Sequence, residues 1–78
     1  MPTVLQVGPY RFFFYATDCP EPPHIHIQRE NKKAKFWLSP VRLQSSGGFN
    51  THEINRLQKI IEEYAEKLLE EWNEYCHD

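Results

Sequence analysis

A chain of 78 residues holds one hydrophobic core and is too short for two, because small domains bury only about 60 to 65% of the surface that their unfolded chains expose. With 40% hydrophobic and 26% charged residues the composition is that of an ordinary globular domain, and 14% aromatic residues let large rings substitute for a larger core. No apolar run approaches the ~20 residues that span a bilayer, which excludes an integral helical membrane protein. The net charge of −2 hides an asymmetry: residues 1–50 carry six basic and three acidic side chains, residues 51–78 three basic and eight acidic ones. Such polarity suits an anionic partner at one end or head-to-tail pairing.

In chain order, Val4, Leu5 and Val7 form a first strand, and Gly8-Pro9 turns it into Tyr10–Tyr15. Three prolines make residues 18–23 a loop, because each removes a backbone donor and fixes φ. Alternation resumes at His24-Ile25-His26-Ile27, a polar turn covers Gln28 to Lys33, and Ala34 to Leu38 returns as a strand that Ser39-Pro40 stops or bends. Val41 to Leu43 extends the sheet before the Ser45–Gly48 loop. The expected fold is therefore α+β: a single domain over 1–78 with a small antiparallel sheet of three to five strands (strand-rich 1–44, loop 45–49) packed on one long C-terminal helix of about 51–75.

The helix has the clearest signal. Asn50 is a good N-cap, Glu53 is placed to complete a capping box, and Phe49 and Ile54 to form a hydrophobic staple. Ile54, Leu57, Ile61, Tyr64, Leu68, Trp72 and Tyr75 recur at three and four, while Glu62, Glu63, Glu66, Glu70 and Glu74 lie elsewhere. At 1.5 Å per residue this helix would run roughly 37 Å, against ~17 to 20 Å for a typical strand. Leu68, Leu69, Trp72 and Tyr75 are therefore expected to overhang and, with Trp37, to form a self-interface in a homo-oligomer.

Period-two alternation puts His24 and His26 on one sheet face and Ile25 and Ile27 on the other, with Phe36 and Leu38 joining the isoleucines against the helix. Two outward imidazoles suit an acid and base flanking one phosphate, or two ligands of one metal ion; the plainer reading is a pair of hydrogen-bonded framework residues. Asp18, Cys19, Glu21 and His52 would complete a metal site only if the fold gathers them, and no cofactor is expected. Only two cysteines, Cys19 and Cys76, and no leader-like segment argue against a disulfide and for a cytoplasmic protein.

Arg29, Lys32, Lys33 and Lys35, with Arg42 nearby, form the basic cluster, which fits nucleic-acid or anion binding beside outward rings as well as simple hairpin solubility. The run Tyr10–Tyr15 sets Tyr10, Phe12 and Phe14 on one face and Arg11, Phe13 and Tyr15 on the other. No nucleophile elbow or phosphate-binding glycine loop is present, so the reading leans away from an enzyme.

The Gly-Pro-Tyr-Arg-Phe hairpin, Glu21-Pro22-Pro23-His24-Ile25-His26-Ile27, Ala34-Lys35-Phe36-Trp37-Leu38, Gly48-Phe49 and Trp72 near the end of the helix together resemble the bacterial family named domain of unknown function 4160. The resemblance covers essentially the whole chain, and Glu-Pro-Pro-His-x-His is its specific part. It implies no activity and no catalytic residues. It does imply an association with toxin–antitoxin pairs, in which such a domain is encoded beside another small protein. The leading expectation is thus an interaction module with a small protein partner encoded nearby. An RNA-binding domain or ribonuclease using His24 and His26, or a small metal-binding domain, are the alternatives.

Overall fold

The structure, a computed structural model, describes residues 3–15 and 19–76. Within them lie β1 (Thr3–Val7), β2 (Tyr10–Phe13), β3 (His24–Arg29), β4 (Lys32–Leu38), β5 (Val41–Ser45), α1 (Thr51–Glu63) and α2 (Ala65–Tyr75). The strands form one antiparallel meander in the order β1-β2-β3-β4-β5. The polar stretch from Gln28 to Lys33 is mostly strand, and the turn shrinks to Glu30 and Asn31, with Glu30 at φ 56°. Ladder pairing of Gln28 with Lys33 and Arg29 with Lys32 overrides their weak strand propensity.

One residue of phase decides which side chains meet the helices. Ile25, Ile27, Ala34, Phe36 and Leu38 share a core with Tyr10, Phe12 and Phe14 and with Ile54, Leu57, Ile61, Leu68 and Trp72 from the helices. Each such side chain, once fully buried, contributes about 1.5 to 3 kcal/mol. Gly47 fixes the approach to α1. It sits at φ +57°, its carbonyl accepts from the Lys33 N–H at 3.3 Å, and a Cβ there would lie 1.5 Å from the Lys33 carbonyl oxygen. Asn50 caps α1 as expected, its Oδ1 accepting from the Glu53 N–H at 2.8 Å.

The helical span is the expected one, but it is two helices rather than one. The chain breaks at Tyr64 (φ −104°, ψ 15°). No Gly or Pro lies between Asn50 and Cys76, so local sequence does not announce the break. The expected overhang is also corrected. Leu68 is completely buried and Trp72 is 4% exposed, while Leu69 and Tyr75 pack partly buried against the core. Helix length and strand length do not lie along the same direction, because the helices run across the strands. α1 lies over β5 and α2 over β4, and Tyr75 ends beside Thr3 and Val4 of β1. Crossing five strands spaced about 4.8 Å apart gives the apolar stripe something to cover along most of its length.

The expectation of two free cysteines is overturned as well. Cys19, in the loop before β3, is disulfide-bonded to Cys76 at the end of α2, with Cα atoms 5.4 Å apart. Counting cysteines carries no information about distance, and the meander brings these two ends together. The bond also removes the cysteine argument for a cytoplasmic protein. No helix among the described residues is long and apolar enough to cross a membrane.

Candidate functional site

The outer face of the sheet, turned away from the helices, is where the sequence-predicted residues meet. The ladders set Phe13 opposite His26, His26 opposite Lys35, His24 opposite Trp37, and Trp37 opposite Arg42. His24 and His26 do share this face, with ring centroids 5.1 Å apart, but they are not equivalent. His26 is half-buried, stacked on Phe13 at 5.6 Å and meeting Tyr15 edge-on at 4.7 Å.

His24 has no exposed surface. Trp72 reaches round the end of the sheet to touch both Phe14 (5.2 Å) and His24 (5.0 Å), and Trp37 closes the other side at 5.7 Å. Its Nδ1 lies 3.0 Å from the Pro22 carbonyl oxygen. A carbonyl only accepts, so Nδ1 carries the proton and donates. The Glu21 carboxylate stands 4.0 Å from the same nitrogen and accepts from Lys35 Nζ at 2.9 Å. The Glu-Pro-Pro-His segment thus folds back on itself and is pinned to β4 by a lysine. The expectation of two outward imidazoles holds for the side of the sheet and fails for exposure, because alternation reports phase and not what the loop and α2 lay on top.

The basic cluster divides. Arg29 and Lys32 point to the helix side and converge on one carboxylate, Glu53, at 3.0 and 3.7 Å. The Tyr10 hydroxyl donates to it as well, at 3.3 Å. Hydrogen bonding with Tyr10 first, then the charge of Glu53, raises the Arg29 pKa above the ordinary arginine value. Both cations are paired with Glu53, whose one carboxylate offsets one of their two charges. Lys33, Lys35 and Arg42 lie on the outer face, where Arg11 joins them. The Arg11 guanidinium lies over the Phe13 ring at 4.5 Å, Lys33 approaches Phe13 at 5.9 Å and Tyr15 at 5.3 Å, and Lys35 lies 4.9 Å from the Trp37 ring centre. Lys33 also donates to the Tyr15 hydroxyl.

Sequence reasoning missed Glu53 as the partner of the basic hairpin, having read it as half of a capping box. It also missed the wall formed by Pro22 and Pro23; neither is signalled by spacing. The candidate metal ligands are not all gathered among the described residues. Cys19 is held in the disulfide, Asp18 lies outside the described residues, and His52 sits on the first turn of α1 at the Arg29 end of β3, on the order of 16 Å of strand from His24. Among the described residues no three of His, Cys, Asp and Glu gather in a group able to hold an ion.

A family model described as domain of unknown function (DUF4160) matches residues 10–73, from β2 through most of α2, with β1 and Cys76 outside the matched range. No curated protein and no solved structure matches the chain.

Proposed function

We propose that this chain, which belongs to the DUF4160 family, binds single-stranded RNA on the outer face of its sheet. The observation that carries this reading is the layering of Lys33 and Lys35 on the partly exposed rings of Tyr15 and Trp37, with Arg11 lying over the buried Phe13 beside them. Cations attract phosphates, and ring faces accept unpaired bases without regard to sequence. Charge separation supports it: Arg11, Lys33, Lys35 and Arg42 face outward with Glu21 as the acidic residue among them, while Glu62, Glu63, Glu66, Glu70 and Glu74 lie on the helices. Binding is favoured over cleavage because an acid–base pair needs two groups in reach of the substrate, and His24 has no surface to offer one. His24 is instead a framework residue that holds the Glu21–Pro23 segment.

The test is fluorescence anisotropy of a labelled RNA of about ten nucleotides over a range of salt. The expected log–log slope is about −2 to −3, from roughly 0.7 for each of four neutralised phosphates, with weaker binding to the same sequence as a duplex. No binding near 50 mM salt, or binding indifferent to salt, would overturn the reading.

A second reading has its own support. The free edge of β5 is exposed along most of Val41–Ser45, and Leu43 is 39% exposed, so a partner strand could add there. That partner would be a second copy or the small neighbouring protein of a toxin–antitoxin pair. Co-purification with the neighbouring gene product, lost on Leu43→Lys, would favour it. An RNA ligand fits a cytoplasmic protein. The Cys19–Cys76 bond counts against that location, since disulfides are rare there, and thiol alkylation of freshly lysed cells decides the point.

A further inference from the structure

Beside the ring-and-cation layer lies a cleft of about 320 Å³ lined by Pro22, Pro23, Trp37, Ser39, Pro40 and Arg42. We infer that this cleft is the base-binding subsite of the RNA path: one unpaired nucleobase enters it and stacks on Trp37, with its phosphate held between Arg42 and Lys35. The inference rests on the RNA-binding reading and adds to it a place and a residue.

Four observations carry it. The volume is at the small end of ligand pockets, about 300 to 1,000 Å³, which suits a single flat ring system and not an extended one. Three of its six lining residues, Pro22, Pro23 and Pro40, have no backbone N–H, so much of the wall is apolar and favours a ring face, while Ser39 and Arg42 supply the polar groups. The walls are also pre-formed: the Pro23 carbonyl accepts from the Leu38 N–H at 3.0 Å, and the Trp37 indole is braced in a T-shaped contact with His24, centroids 5.7 Å apart and planes at 87°. A stacking platform that is already rigid loses little entropy on binding. Finally, the charges stand at the rim. Arg42 is exposed directly across the ladder from Trp37, and Lys35, which approaches the Trp37 ring while paired with Glu21, stands on the other side, so Arg42 is the principal phosphate donor and Lys35 a second one that must share its charge with Glu21.

The experiment titrates three probes into the protein: a single-stranded RNA of about ten nucleotides, an abasic strand with the same number of phosphates, and a proline-rich peptide. Affinity and Trp37 emission are followed together. Trp37→Phe supplies the background emission of Trp72. The RNA is expected to quench Trp37 and to bind about 10-fold or more tighter than the abasic strand, in keeping with the worth of one stacked base. Trp37→Ala should lose that advantage and leave abasic binding unchanged. Arg42→Gln, at an exposed position, should weaken both strands and serves as the variant certain to fold. If both strands bind equally without quenching, RNA binding stands and the subsite falls. If neither strand binds at low salt, both fall. If the peptide quenches Trp37 and the RNA does not, the cleft belongs to a protein ligand and the inference is wrong.

Discussion

On the inner face of the sheet, Ile25, Ile27, Phe36 and Leu38 interlock with the helices, and the cations at its rim, Arg29 and Lys32, are tied to Glu53. On the outer face the same strands, one residue out of phase, present His26, Lys33, Lys35 and Trp37. Away from His24, which the Pro22 loop and Trp72 seal, its rings are covered largely by cationic side chains. Lys32 and Lys33 make the contrast sharpest: adjacent in the chain, one closes an ion pair against α1 and the other donates to Tyr15. The inner face is built for volume, which fixes the fold. The outer face keeps an excess of positive charge over its one carboxylate, Glu21, as a surface that receives an anion must.

The contrast can be tested by unequal substitutions. The largest effect is expected for Phe36→Ala on the inner face, a loss of about 3 to 5 kcal/mol from the missing ring plus the cavity left behind. A urea midpoint close to wild type would mean that the inner face is not the core. Next comes the double change Cys19→Ser with Cys76→Ser. Across a separation of 57 residues the bond restricts the unfolded chain strongly, so losing it costs about 2 to 4 kcal/mol, toward the upper end. Dithiothreitol should reproduce that shift in the wild type and leave the double variant unmoved.

Glu53→Ala leaves Arg29, Lys32 and the Tyr10 hydroxyl without their common acceptor and should cost about 1 to 2 kcal/mol. Much of that should disappear in an Arg29→Ala background if the pair is coupled as the geometry indicates. The smallest stability effect is expected for Lys33→Ala with Lys35→Ala, within about 0.5 kcal/mol. The same variant should flatten the salt dependence of RNA affinity by about 1.4 in slope, because two phosphates would no longer be neutralised. Equal stability losses for Lys33 and Glu53 variants would erase the difference between the faces.

The sequence by itself determined the class of fold, the start of the helical region at Asn50, and the phase of every strand that bears on the site, because these rest on local quantities: an N-cap geometry, a period of two, a period of 3.6. The same periodicity placed His24 and His26 together on the outer face. Only the tertiary structure decided that His24 is sealed, that Leu68 and Trp72 are core and not overhang, that the helix breaks at Tyr64, that Cys19 bonds Cys76, and that four neighbouring cations split between Glu53 and the aromatic face. Apart from the break at Tyr64, these depend on residues far apart in the chain: Trp72 stands 48 positions from His24, and Glu53 stands 24 from Arg29. Periodicity tells which way a side chain points, but what stands in front of it is set by how the helices cross the sheet, and no pattern within a strand records that crossing.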